Sequence, residues 1–471
     1  MDRRNKLPLS EKLGYGIGAL SYGIPMQLVT GCFVFYSTAV LHLSGTLTGI
    51  IVAVSILWDA VADPVMGYIS DQTSKNVLFG RRLFYVFIGA IGLAICNYFF
   101  WSIDPKLPDI EKAAMISILI LLLKTFSTIL TTPHLALGAE LTSDYSERNS
   151  VQSFRTAFFF LGFMFPTLIG MAFFFRPTPE YPIGQLNPAA YSSLGFYACA
   201  IILVCAAVSI AFTYNKSNNP GTANRGKSSL INMLKETAEA LKCRDYRNIT
   251  LGLMFINTAM GIVGSVGMHV FTYTFGFSNS EIAVVFGALF VMALVAQPIW
   301  VAVARRFEKR TALVACLYIN IVVSALFAGL VFLNSWVAEN YLFVLPVAML
   351  MGLSMGGSIS LPYSMISDTI DQDAYYTGTR KEGVFYGCAM FMYKLSQAIS
   401  VLLISSLLDI LRFDSGIVQT PLIYIKLGLI LPIGFLICFA AALIFVRKYT
   451  LDRKAVAKYQ QGIELSPITK D

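Results

Sequence analysis

Thr46-Leu-Thr-Gly-Ile-Ile-Val-Ala-Val-Ser-Ile-Leu-Trp58-Asp59-Ala-Val-Ala-Asp63-Pro64-Val-Met-Gly-Tyr-Ile-Ser70 is the stretch whose reading decides the fold. It is apolar almost throughout and long enough for the ~20 residues that a helix needs to cross the hydrocarbon core of a bilayer. Irregular backbone cannot face lipid, because its N–H and C=O groups would lack partners there. The stretch is therefore expected to be a membrane-spanning helix. Asp59 and Asp63 interrupt it. Each such charge costs at least ~2.5–3.5 kcal/mol at the centre of an inserted helix, so a carboxylate pair here points to function.

Eleven other stretches read the same way. The first half has spans over 13–41, 46–70, 82–101, 113–137, 151–175 and 190–214. The second half has 249–275, 280–303, 311–334, 339–366, 384–411 and 420–446. The run 13–41 exceeds the ~7–15 residues of a secretory signal's apolar region and is expected to stay in the membrane. Only 13% of the 471 residues are charged, against roughly 25% in soluble domains.

Charge then orients the spans. With the N-terminus inside, the cytoplasmic segments hold 27 Lys and Arg and the outer loops hold four. Basic residues stay on the cytoplasmic side during insertion. The expectation is a multi-pass protein of the plasma membrane with both termini cytoplasmic. The net charge of +8 is thus a matter of topology and does not call for nucleic acid. Eight cysteines with no Cys-x-x-Cys pair read as packing residues. His42, His134 and His269 are scattered, and no nucleophile–base set or phosphate loop is present, so neither an enzyme nor an ATP-driven pump is expected. No cofactor and no metal beyond a coupling sodium ion is expected.

The chain divides into a six-helix half (1–214), a cytoplasmic linker (215–248), a second six-helix half (249–446) and a tail (447–471). Within the linker, Leu230, Met233, Leu234, Ala238 and Leu241 fall at helical spacing and predict an amphipathic helix. Asp63-Pro64 and Gln297-Pro298 are 234 residues apart, and Pro133 and Pro362 are 229 apart. Similar offsets argue for a duplicated six-helix unit. The fold class is all-α, with twelve transmembrane helices in two pseudo-symmetric halves around a cavity, the plan of major-facilitator transporters.

Asp59 and Asp63 sit at i, i+4, so both carboxylates lie on one helical face. A cation between them, a bound proton or a paired lysine would relieve their repulsion. Sodium prefers such oxygen donors. Pro64 has no N–H, which leaves the Ala60 carbonyl free to join the site. The lysines within spans, Lys124 and Lys394, are both candidates for a charge pair with these carboxylates. Tyr22, Gln27, Trp300 and Tyr363 read as substrate contacts or as packing residues. Thr128 and Thr131 belong to a hydroxyl-rich run that could line a cavity. Gly14, Gly16, Gly18 and Gly23 suggest close helix packing. Segments 71–82, 140–155 and 368–382 read as mixed-charge loops. Glu140, Asp144, Arg148, Arg155, Asp368, Asp371 and Arg380 are their candidate gate residues.

Lys12-Leu-Gly-Tyr-Gly-Ile-Gly18, Trp58-Asp59-Ala-Val-Ala-Asp63-Pro64, and Asp368-Thr-Ile-Asp371 followed by Arg380-Lys-Glu-Gly383 and Lys394 resemble the glycoside–pentoside–hexuronide cation symporters. The resemblance spans nearly the whole chain. It implies sugar uptake coupled to sodium, lithium or protons. It assigns Asp59, Asp63 and Thr128 to cation binding and places Lys394 beside them. It puts Arg148 and Arg155 in the cytoplasmic loop and gate. Where the family's galactoside carrier holds its sugar with aspartates, this chain has Gly23 and Thr131. The related lysolipid symporters of animals share the carboxylate pair. The reading is a monomeric symporter in a lipid membrane, taking a small molecule, with sugar or glycoside favoured. A lysophospholipid or other amphiphile is the alternative, and a non-transporting sensor comes third.

Overall fold

The computed structural model describes residues 7–73, 78–141, 145–217, 240–378, 382–413 and 419–465. Twelve of its helices are long and apolar enough to cross a membrane. In the first half they are α1 (Leu9–Val40), α2 (Gly45–Gln72), α3 (Arg81–Phe100), α4 (Asp109–Glu140), α5 (Tyr145–Phe165, running on through Pro166–Phe174) and α6 (Pro188–Ser217). In the second half they are α7 (Arg244–Thr274), α8 (Asn279–Phe307), α9 (Lys309–Phe332), α10 (Leu345–Thr377), α11 (Glu382–Ile410) and α12 (Pro421–Arg447). A tail helix, α13 (Arg453–Leu465), follows.

The chain forms two compact units. The first is Met1–Arg225 with Ser278–Ala283 and Ser405–Val418, and the second holds the remainder. In the first unit α1 packs on α5 and α6, α3 on α4 and α6, and α2 on α4. In the second, α7 packs on α12, and α9 on α10 and α12.

The duplication is visible bond by bond. α1 closes in a wide π turn in which Leu41 N donates to Tyr36 O and Leu43 N donates to Ser37 O. α7 closes likewise, Phe275 N donating to Val270 O and Phe277 N to Phe271 O. Corresponding residues in these two turns keep the 234-residue offset that relates Asp63-Pro64 to Gln297-Pro298.

Alternate glycines let α1 sit tightly among its neighbours. A Cβ at Gly14 would lie 2.3 Å from Phe212, one at Gly16 2.7 Å from Phe158, and one at Gly18 2.5 Å from His134. Each contact involves a different helix, so the three glycines serve three interfaces at once.

Several boundaries differ from the sequence expectation. The segment from 368 is not a loop: α10 continues to Thr377 and stops at Gly378, whose φ of +69° suits a residue with no side chain. Helix α5 begins at Tyr145, so most of 140–155 is helical too. The end of the supposed linker, from Arg244, is the first turn of α7. The proposed amphipathic helix falls mostly within 218–239, outside the described residues.

Candidate functional site

Helices α2 and α4 run in the same direction through the first unit, so partners across them keep a fixed difference in number. Lys124 Nζ lies 2.9 Å from Asp59 Oδ2. One turn on, Thr128 Oγ1 donates to Asp63 Oδ1 at 2.7 Å. Another turn on, Gly67 faces Thr132, whose methyl would lie 3.8 Å from an added Cβ. All three pairs are 65 residues apart. The i, i+4 spacing that put both carboxylates on one face of α2 thus meets an i, i+4 pair of polar side chains on α4.

The environment is neither open water nor dry core. The Asp59 and Lys124 side chains keep 15% and 22% of their surface exposed, and Thr128 is buried. Trp58 frames the site, its indole N–H donating to Thr125 Oγ1 at 2.8 Å. Thr125 in turn donates to Leu121 O at 2.7 Å. Sequence reasoning passed over Thr125, although its place beside Lys124 on a polar run was a usable signal. The donors available to a cation are carboxylate and hydroxyl oxygens, the hard set that suits sodium. Among the described contacts, the Lys124 ammonium is a positive charge held at Asp59.

Lys394 is half-buried on α11 in the second unit. Lys124 is joined to a helix 2 carboxylate by an ion pair.

The expected substrate contacts separate. Tyr22 is buried against the rings of His134 and Phe159. Gln27 is buried and donates to Thr167 Oγ1 at 3.0 Å. Gly23 is a packing residue, because a Cβ there would stand 2.7 Å from the Phe159 carbonyl oxygen. Trp300 is also taken up by packing: its indole N–H donates to Leu353 O at 2.6 Å, and it lies under Gly357. Thr131 and Tyr363 are half-buried, on α4 and α10.

Three of the charged residues assigned to a gate have local partners. Asp368 is buried and paired with Lys309 at the start of α9, at 2.7 Å. Asp371 accepts from Gln460 of α13 at 2.7 Å. Arg155 donates to Gln152 at 2.9 Å and to Thr156 at 3.3 Å. Lys309 and Gln460 were not foreseen as partners. Glu140 ends α4, and Arg148 lies in the first turns of α5. Asp144 and Arg380 lie outside the described residues.

A family model described as MFS/sugar transport protein matches residues 14–453. The sodium-dependent lysophosphatidylcholine symporter 1-A of Danio rerio is 24% identical, over 96% of this chain and 88% of its own. The inner membrane symporter YicJ of Escherichia coli (strain K12) is 25% identical, over 94% and 92%. The solved nucleoside transporter NupG superposes with a TM-score of 0.62 at 11% identity, covering 94% of this chain and all (100%) of that one. A D-xylose–proton symporter superposes at 0.59 with 13% identity, covering 90% and 96%. Such structural likeness is evidence of the fold.

Proposed function

Because this chain belongs to the MFS/sugar transport protein family, a family of transporters rather than enzymes, we propose that it uses the α2–α4 carboxylate site to couple entry of sodium or a proton to uptake of a small molecule by alternating access. The observation that carries this reading is the pairing of Asp59 with Lys124 and of Asp63 with Thr128 inside a membrane-spanning helix pair. Two carboxylates at such a depth are expensive to keep for packing alone. Asp59, Asp63 and Thr128 are the residues that would hold sodium. When bound, that ion supplies the charge that balances the pair. Lys124 balances Asp59 until it is drawn aside, so occupancy of the site changes which charges α2 and α4 share.

The favoured substrate is a sugar or glycoside, in keeping with the family description and the overall resemblance. A second reading takes a lysophospholipid. One relative carries that substrate in its name, and this chain has no carboxylate at Gly23 or Thr131 to hold a sugar. The excess of basic residues in the inner segments supports an orientation with both termini in the cytoplasm.

The test is uptake by the purified protein in proteoliposomes, against glycosides, uronides and lysophospholipids, with and without sodium or pH gradients. Gradient-driven accumulation of a glycoside supports the main reading. Accumulation of lysophospholipid alone favours the second. Uptake indifferent to both gradients refutes coupling.

A further inference from the structure

We propose that the ends of α9 and α12 around Arg310 and Arg447 form a binding site for the headgroup of an anionic phospholipid, with its acyl chain lying along the two helices. The site lies in the second unit, whereas the carboxylate pair belongs to the first.

Three basic residues stand at these helix ends. Arg310, in the first turn of α9, donates from Nη2 to the carbonyl of Arg447, the last residue of α12. The Arg447 guanidinium lies 5.5 Å from the centre of the Tyr318 ring and touches its hydroxyl. Lys448 holds its ammonium 5.8 Å from the centre of the Phe445 ring. All three side chains are exposed. Among the described residues, no carboxylate lies within ion-pair distance of any of them. Lys309 makes the contrast: one residue before Arg310, it is paired with Asp368 at 2.7 Å. An exposed basic cluster with no counter-ion, held against aromatic rings, attracts an anion at interfacial depth.

The surface leading away from the cluster is apolar. On α9, Tyr318, Val322 and Leu326 follow at i, i+4, i+8, exposed by 43%, 56% and 45%. On α12, Ile444, Ile437 and Ile433 share a face and are exposed by 57%, 62% and 50%. The two helices also approach at their far ends, where a Cβ at Gly428 would lie 2.7 Å from Val331. An anionic head and an apolar strip together match a phospholipid better than a soluble phosphate, which would leave the strip uncovered. The orientation proposed above turns this end toward the cytoplasmic leaflet, where anionic lipids and juxtamembrane basic residues attract one another.

The experiment is native mass spectrometry of the purified full chain, presented with equal phosphatidylglycerol and phosphatidylcholine of matched acyl chains. The wild type should retain phosphatidylglycerol preferentially, by about 5-fold for each cation engaged. The double variant Arg310→Gln/Arg447→Gln should lose that preference. Arg310→Lys/Arg447→Lys should keep most of it, which separates charge from folding. Lys454→Gln/Lys458→Gln, on the exposed face of α13, should keep all of it. Equal retention of both lipids by the wild type would overturn the proposal. So would equal losses from the α13 variant, or displacement of the lipid by inorganic phosphate. Transport is not measured, so the outcome is independent of the coupling reading.

Discussion

Lys124 and Asp59 form an ion pair of 2.9 Å between two parallel membrane helices, and Thr128 binds Asp63 one turn further along the same face. The pairing makes Lys124 the standing partner of one carboxylate and gives Asp63 a neutral hydroxyl donor at this interface. The two aspartates, a single turn apart on one helix, thus meet different groups of α4.

Removing one member of the ion pair should do more harm than removing both. Asp59→Asn strands the Lys124 ammonium in a mostly shielded position, a loss that single truncation of a buried pair makes severe. Asp59→Asn/Lys124→Met removes the stranded charge. A double-mutant cycle on thermal unfolding in detergent should give a coupling of about 1–3 kcal/mol, with the double variant more stable than Asp59→Asn alone. Additive losses would mean that the two side chains do not interact.

Thr128→Val keeps the shape of the side chain but removes its donor to Asp63. A hydrogen bond to a charged group is worth ~1.5–3 kcal/mol, so the apparent affinity for the coupling ion should fall roughly 10-fold or more. Thr128→Ser should stay near the wild type. The check is the ion-concentration dependence of uptake.

Gly23→Ala tests packing against cavity lining. The added methyl would press on the Phe159 carbonyl at 2.7 Å, and backbone cannot rotate away as a side chain can. Overpacking of this kind costs about 1–3 kcal/mol. The melting temperature should drop with substrate present or absent. A normal melting temperature combined with a changed substrate affinity would restore Gly23 to the cavity.

Lys309→Met breaks the contact with the buried Asp368, and Gln460→Ala removes a donor to Asp371. The first should lower stability clearly, by the cost of a buried carboxylate losing its partner. The second should cost only ~1 kcal/mol, the net worth of an ordinary hydrogen bond. Thermal unfolding of the two variants in parallel checks the order, and a larger loss from Gln460→Ala would reverse it.

These relationships were legible in the sequence to different depths. The twelve spans could be found because length and hydropathy act locally, and each appears in the structure. The 234-residue offset was readable from Asp63-Pro64 and Gln297-Pro298, and it reappears in backbone bonds at Tyr36 and Val270. The ends of α10 were not readable. Asp368 and Asp371 look like loop residues, yet each is buried on the helix because partners from α9 and α13 satisfy it. The partner of Asp59 was equally hidden. Lys124 and Lys394 are both lysines within apolar runs, and only the 65-residue register between α2 and α4 brings Lys124 to the carboxylate. Trp300 and Gly23 stayed open to two readings for a related reason, since an aromatic ring or a glycine within a span looks the same whether it lines a cavity or packs against backbone.

The most direct test of the coupling site is substrate accumulation in proteoliposomes by wild type, Asp59→Asn and Asp63→Asn under an imposed sodium or proton gradient. The account predicts that the wild type concentrates substrate against its gradient. Both variants should lose that accumulation while remaining folded and able to bind substrate. Undiminished uphill transport by either variant would contradict the assignment of coupling to the helix 2 carboxylates.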